Sequence, residues 1–449
     1  MTKKEKAQIK PNVIIILTDD QGYGDVGFNG CKDIPTPNLD RIAKNGMICT
    51  NAYVSYAVCG PSRAGLITGR YQDRFGFGRN PLFAPNDPDQ GLPLTEQTLA
   101  KVLKQADYRT MAIGKWHLGA HKTQRPLNRG FDEFFGFLTG GHMYFPEKLT
   151  LSDISQVRYQ FDAYKTRILK NDKRIDLKEY LTDALSNEAV RFIEKNKDDH
   201  FFLYLAYNAP HTPLQATEKY LKRFKNIKNK KRRTYAAMVS SVDDGVGKIL
   251  NKLEELNIEN NTIVFYLSDN GGPEKHNGSD NGPLREGKGS LYDGGIHVPF
   301  AIQWPSVIPA GKKYDKPVIS LDIFATVIKY AGVNPKNKPD GVDLIPYLTG
   351  KDNSYPHEYL FWRKFDKKAY AVRNKEMKLV NAQGSTDELY NITNDIGEHN
   401  QVNAPDKMKG LLKKKDEWTS QMMDPVFLGL SQNKEYNKLH PDRFELEKY

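Results

Sequence analysis

The chain has 449 residues, more than one compact core usually accommodates, so its size points to a large domain with a smaller companion. Hydrophobic residues make up 39% and aromatics 11%, the balance of a globular protein, and no apolar run approaches the ~20 residues that cross a bilayer. A net charge of +11, from 66 Lys and Arg against 55 Asp and Glu, favours an anionic partner. Much of the excess lies in Lys222 to Arg233 and Lys407 to Lys415. Neither run interleaves lysine with stacking aromatics, so both read as solvated helix faces, and no nucleic-acid partner is expected. Cys31, Cys49 and Cys59 are too few for a disulfide framework, and their spacing does not resemble a zinc site.

Residues 1–10 form a polar N-terminal extension without the apolar core of a secretory signal, so any signal is absent or already removed. Asn12 to Thr18 then reads as a buried strand ending in Asp19 and Asp20, followed by the glycine-punctuated loop Gln21 to Gly30. A helix is predicted with Pro37 at its start and Leu39, Ile42 and Ala43 facing inward. The loop from Gly76 to Gly91 is expected to be ordered by the catalytic domain alone. Thr95 to Gln105 looks helical, Arg109 to Ile113 strand-like, Leu181 to Lys195 helical, Phe201 to Tyr207 a buried strand and Tyr235 to Leu256 a long helix. Thr262 to Leu267 is a further buried strand. This alternation predicts an α/β fold, a mostly parallel central sheet with helices on both faces, over residues 11–350. Beyond Gly350 the texture shifts to short strands, including Ala369 to Arg373 and Met377 to Val380, and then a lysine-rich segment around Leu411. A smaller α+β domain is expected over 351–449.

Asp19-Asp20 and Asp269-Asn270 each follow an apolar strand and so reach the same sheet edge, where open α/β sheets bind ligands. Oxygen donors without thiolate or imidazole suit calcium or magnesium, and a cage of several carboxylates favours the larger calcium ion. Either pair alone would equally serve as a turn or cap; their matched placement is what favours a metal. Cys59 enters a helix with Arg63 one turn later, which places the sulfur at a positive helix end.

The run Cys59-Gly60-Pro61-Ser62-Arg63, followed by Thr68-Gly69, resembles the signature of the type I sulfatases, members of the alkaline phosphatase superfamily. The similarity extends from Pro11 to about Gly350, with family-like texture beyond at Asp387-Glu388-Leu389-Tyr390-Asn391. It implies that a formylglycine-generating maturation enzyme oxidises Cys59 to formylglycine. Calcium would then be held by Asp19, Asp20, Asp269, Asn270 and the modified Cys59. The family's Gly-Lys-x-His motif falls on Gly114-Lys115-Trp116-His117, its Pro-His-x-Pro motif on Pro210-His211-Thr212-Pro213, and its distal lysine on Lys288. The implied chemistry is attack on sulfur by one hydroxyl of hydrated formylglycine, with His211 protonating the leaving alcohol. His117 then acts as the base that lets the second hydroxyl expel sulfate. Arg63, Lys115 and Lys288 would offset the negative charge of the sulfate.

Positive charge and wide loops favour a sulfated poly- or oligosaccharide, such as carrageenan, ulvan or a glycosaminoglycan, over a small aryl sulfate. Arg74, Arg79, Asn80, His142, His276 and Arg285, in loops near the motifs, are the expected sugar contacts. An exo-acting enzyme exported to the periplasm or secreted is expected. Two rival functions are a phosphatase or phosphodiesterase of the same superfamily, and a non-catalytic binder of sulfated glycans whose Cys59 stays unmodified. A serine or threonine nucleophile and a histidine-rich two-metal site would mark the first; neither is in the motif set.

Overall fold

A computed structural model describes residues 10–152 and 154–444 of the chain. Of the polar extension, only Lys10 lies among the described residues. The centre is a ten-stranded sheet. Its strand order is Lys312–Tyr314, Met47–Cys49, Phe300–Gln303, Thr262–Ser268, Asn12–Thr18, Phe201–Ala206, Arg109–Lys115, Glu133–Phe137, Ile168–Lys170 and Lys173–Ile175. The five strands from Thr262–Ser268 to Glu133–Phe137 all run parallel.

The first strand shows why its sequence is an unbroken apolar run. Val13, Ile15 and Leu17 point into one core and Ile14 and Ile16 into another, so both faces of the pleat are covered. The helices Leu181–Lys195 and Lys230–Glu255 contribute to the Ile14 side, while Cys59–Thr68 and Leu321–Ala331 contribute to the other. The helix Pro37–Lys44 buries Leu39, Ile42 and Ala43. The segment expected to be helical from Thr95 is helical only over Leu99–Leu103, with a 3-10 turn to Ala106, because the Thr98 side chain caps it by accepting from Lys101 N. The long helix begins earlier than expected, at Lys230, where Asn229 caps it.

Two expectations need correction. The basic run ending at Arg233 is not wholly solvated: Arg232 pairs with the fully buried Asp25 at 2.5 Å and with Asp33 at 2.7 Å, which fastens the loop after Asp20. The Gly76–Gly91 loop is held by the C-terminal segment as well. Val426 donates to the Gly76 carbonyl, Arg79 pairs with Asp366, and Tyr436 donates to Asp87 at 2.6 Å while packing on Leu82 and Ala84.

A separate antiparallel sheet of four strands, Leu360–Lys364, Ala369–Arg373, Met377–Asn381 and Glu388–Asn391, carries the helix Pro405–Thr419. It is tied to the large sheet's side of the molecule by buried charge. Lys378, fully buried, sits 2.5 Å from Asp293 and 2.8 Å from Glu398, and Asp293 also accepts from Tyr53 at 2.7 Å. Among the described residues no helix is long and apolar enough to cross a membrane. Removing Lys378 would strand two buried carboxylates. We therefore expect Lys378→Met to lower unfolding stability by about 3–5 kcal/mol in a urea titration, whereas substitution of the exposed Lys409 leaves it within about 0.5 kcal/mol.

Candidate active site

The parallel strands deliver their functional residues to one edge. Thr18 pairs with Ser268 in register, so Asp19-Asp20 and Asp269-Asn270 leave adjacent strands side by side, and Asp269 N donates to the Thr18 carbonyl at 3.0 Å. Lys115 ends the Arg109–Lys115 strand, and His211 lies in the loop beyond Phe201–Ala206. Gly114 makes the Lys115 placement possible: its φ is +93°, and a Cβ there would lie 1.9 Å from the Ala206 carbonyl oxygen.

Cys59 opens a helix in which all ten residues are buried. Arg63, one turn on and fully buried, donates to Asp269 from Nε at 2.9 Å and places Nη2 2.8 Å from the same oxygen; its Nη1 donates to the Lys115 carbonyl at 3.0 Å. Lys115 Nζ lies 2.5 Å from Asp19. Lys288 Nζ lies 2.7 Å from Asp20 Oδ1 and 3.5 Å from Cys59 Sγ. Three buried carboxylates thus face three cations. Burial pushes Asp19 up to about 7 despite Lys115, whereas Lys288 and His211 outweigh burial at Asp20 and hold it down at about 2. Burial also pushes the Cys59 thiol up, against the pull of Lys115 and Lys288. An unmodified Cys59 is therefore a neutral thiol, and the positive helix end does not by itself make it an anionic nucleophile.

His211 donates from Nδ1 to the Thr212 carbonyl at 2.6 Å, which leaves Nε2 toward the site, 3.6 Å from Asp20. His117, with φ of 57°, is buried against Gly140, where a Cβ would meet its ring at 2.8 Å; its Nδ1 has no hydrogen-bond partner. Burial, helped by Lys115, drives His117 well below the usual imidazole range, and burial drives His211 down to about 3 against the opposing Asp20. Both rings are neutral in the free protein near pH 7.

A cation fits this arrangement. Asp19 Oδ1 and Asn270 Oδ1 are buried acceptors without a hydrogen-bond partner. Asn270 spends its amide on Asp20 at 2.7 Å and the Gly271 carbonyl at 2.9 Å, so its free oxygen is the atom left for a ligand role. Ligand atoms of Asp19, Asp20, Cys59 and His211 all lie within 4.8 Å of one another.

The expected sugar contacts divide. His276 is exposed and, with Lys288, lines a cavity of about 450 Å3; of the predicted catalytic residues Lys288 alone lines it. Arg79 and Asn80 line a second cavity, of about 220 Å3, together with Val58, the residue before Cys59. Three others are engaged elsewhere. Arg74 pairs with Asp340 at 2.8 Å, and Arg285 lies 3.8 Å over the Tyr292 ring while donating to Tyr390 at 2.9 Å. His142 is fully buried against Phe137, and its carbonyl accepts from Asn208 at 2.9 Å, in the turn that leads to His211. Asn80 has a structural task that its loop position did not suggest: its Oδ1 accepts from Gly60 N at 2.8 Å and so supplies the cap that Val58 cannot. Tyr164 was not anticipated at all. Its ring stands beside His211, since a Cβ on Gly141 would come within 2.8 Å of Tyr164 and 3.1 Å of His211 Cε1.

Comparisons with known proteins identify the family. The profile described as "Sulfatase" covers residues 11–333. The chain belongs to the sulfatase family. A second profile, "N-sulphoglucosamine sulphohydrolase, C-terminal", covers residues 287–424. Human N-acetylgalactosamine-6-sulfatase is 35% identical over 357 residues, which are 75% of this sulfatase-family chain and 66% of that protein's length. Human steryl-sulfatase is 34% identical over 428 residues, 79% of this chain and 72% of that one. Among solved structures, Ps i-CgsB in complex with k-i-k-neocarrahexaose superposes with a TM-score of 0.89 at 39% identity, covering 97% of this chain and 100% of that one. The parallel sheet flanked by helices is thus the alkaline phosphatase-like architecture of these sulfatases.

The Asn80 cap generates a test. Asn80→Ala should lower stability by about 1 kcal/mol in thermal unfolding. Asn80→Asp keeps the acceptor and should hold stability within about 0.5 kcal/mol, yet lower turnover of any anionic substrate through repulsion.

Proposed function

We propose that the protein is a formylglycine-dependent sulfatase that hydrolyses a sulfate ester of a carbohydrate. The observation that carries this reading is the placement of Cys59 Sγ at a buried helix start, 3.5 Å from Lys288 Nζ and among the carboxylates of Asp19 and Asp20. Asp19, Asp20, Asp269, Asn270 and the modified Cys59 are the proposed metal shell, and their oxygen-rich donor set suits calcium. Bound there, the ion would offset sulfate charge and stabilise negative charge that develops in the transition state. Oxidation of Cys59 by a maturation enzyme would supply an aldehyde whose hydrate is an oxygen nucleophile.

The chain's own residues supply the rest. Lys115 and Lys288 place positive charge on the sulfate side, and Arg63 holds Asp269 in place. His117 has a buried unpartnered nitrogen and is the proposed general base; burial and Lys115 hold its proton affinity low in the free protein, and an arriving anion that offsets the lysines would raise it. His211 faces the site through Nε2 and is the proposed acid for the leaving alcohol; an arriving sulfate anion offsets Lys288 and Lys115 and so raises its proton affinity. A carbohydrate is favoured over a sterol because Glu274, His276, Glu286, Lys288, Lys364 and Lys367 line the 450 Å3 cavity and can hydrogen-bond to hydroxyl groups. The relatives named for N-acetylgalactosamine-6-sulfate and the carrageenan-oligosaccharide complex support the same class. Export to the periplasm or beyond accompanies this reading, since sulfated polysaccharides are met there.

The test is sulfate release, followed by ion chromatography, from a panel of carrageenan, ulvan and glycosaminoglycan oligosaccharides once conversion of Cys59 has been confirmed by peptide mass. Release from at least one is expected, and Cys59→Ser should lower kcat by on the order of 10^3 or more. Phosphate-ester cleavage without sulfate release would instead favour the phosphatase reading. Independently of turnover, calcium at about 100 times its Kd should stabilise the protein by ~2.7 kcal/mol, and Asp19→Asn or Asn270→Ala should abolish most of that shift.

A further inference from the structure

The small C-terminal sheet sends one hairpin to the mouth of the site. Its strands Leu360–Lys364 and Ala369–Arg373 pair antiparallel and are joined by a turn over Phe365–Lys367, which closes through Lys368 at a φ of 49°. This turn carries Lys364, Asp366 and Lys367. Lys364, half-buried, donates to the carbonyl of Gly289, the residue after Lys288, while Lys367 is exposed. Both lysines line the 450 Å3 cavity at Lys288 and also the 220 Å3 cavity at Arg79 and Asn80, so they form the ridge between the two.

The acid between these lysines is engaged elsewhere. Asp366 accepts from Arg79 Nε at 3.0 Å and Arg79 Nη2 at 2.6 Å, and from Gln432 at 3.2 Å. Those hydrogen bonds hold its carboxyl below the usual range. Burial, and then the nearby Lys367, push the Lys364 ammonium down, with Glu286 of the same cavity wall pulling the other way. Two like charges are thus held together at the opening of a site whose own cations, Lys115 and Lys288, are already engaged by Asp19 and Asp20. The buried ionic contact between the sheets is carried by Lys378, whereas Lys364 ties the turn to the Lys288 loop through Gly289 and Lys367 projects into solvent.

We infer that Lys364 and Lys367 form a subsite for a second oxyanion of the substrate, a sulfate or carboxylate that is retained while the sulfate at Cys59 is cleaved. The inference rests on the sulfatase reading and narrows it to glycans with more than one anionic group. A lysine pair supplies compact point charges rather than a bidentate fork, so it selects for charge and position more than for oxyanion shape.

The experiment compares wild type, Lys367→Ala and Lys367→Arg on four substrates. These are a disulfated carrageenan oligosaccharide, a monosulfated glycosaminoglycan disaccharide with a uronate, a monosulfated neutral galactose oligosaccharide, and 4-nitrophenyl sulfate. Lys367 is chosen because it is exposed and makes no contact with the proposed catalytic groups. The expected result is a KM raised roughly five- to tenfold by Lys367→Ala on the disulfated or uronate substrate, with kcat unchanged, rescue by Lys367→Arg, and changes under about twofold on the other two. Which of the first two responds identifies the retained group. An equal effect on all four, or none on either of the first two, overturns the subsite. If wild type cleaves no sulfate ester, the functional reading fails separately, and calorimetric binding of the disulfated oligosaccharide to Cys59→Ala protein, with and without Lys367→Ala, decides the subsite: equal affinities overturn it, and a five- to tenfold weakening upholds it.

Discussion

Charge compensation at the end of the parallel sheet is the constraint on which the rest of this molecule depends. Asp19, Asp20 and Asp269 are at most 2% exposed, and an isolated carboxylate buried to that extent would cost several kcal/mol. Each is met by a cation from a different segment: Lys115 from a neighbouring strand, Lys288 from a distant loop, and Arg63 from the helix that begins at Cys59. The acids can therefore be buried only when those segments are in place. Folding of the sheet, docking of the Cys59 helix and assembly of the site are in this sense one event.

The same logic operates at the second boundary, with a different outcome. Asp293 and Glu398 are neutralised by Lys378 from the small sheet, and Trp362 of that sheet donates to the Val54 carbonyl at 2.7 Å. Val54 is close in sequence to Cys59, and Asp293 is close to Lys288. The companion sheet thus braces both chain segments that meet at Cys59, and it also positions the Phe365–Lys367 turn over the cavity. A segment that looks peripheral in sequence lines the cavity at Lys288.

How much of this was legible depends on whether a residue's task is local. The buried strands and the helix Leu181–Lys195 could be read directly, because unbroken apolar runs and a 3.6-residue period reflect the chain's own neighbours. Asp19, Asp20, Asp269 and Asn270 could be placed together because strand ends in a parallel sheet share an edge. Arg74 and Arg285 could not be judged, since Asp340 and Tyr390 claim them across long separations, and His142 is buried against the nearby Phe137 only because the strand Glu133–Phe137 is itself enclosed. Asn80 had the right neighbourhood but carries a different task, because the cap it supplies is to a helix twenty residues away in sequence. Tyr164, Lys364 and Lys367 had no signal: each is an ordinary loop or turn residue until tertiary folding brings it to the opening.

The burial that assembles the site also bears on the proposed oxidation of Cys59. A thiol is activated by becoming a thiolate, and that requires the charged form to be favoured over the neutral one. Here the enclosure that excludes water works against ionisation of Cys59 and outweighs the pull of Lys115 and Lys288, which also answer to Asp19 and Asp20. A neutral oxygen nucleophile that ionises only as it reacts would escape this penalty, because the negative charge then develops where cations are already aimed. The environment of Cys59 is thus poorly matched to a thiolate and well matched to an oxygen nucleophile at the same Cβ, the substitution that the Cys59-Gly60-Pro61-Ser62-Arg63 signature implies.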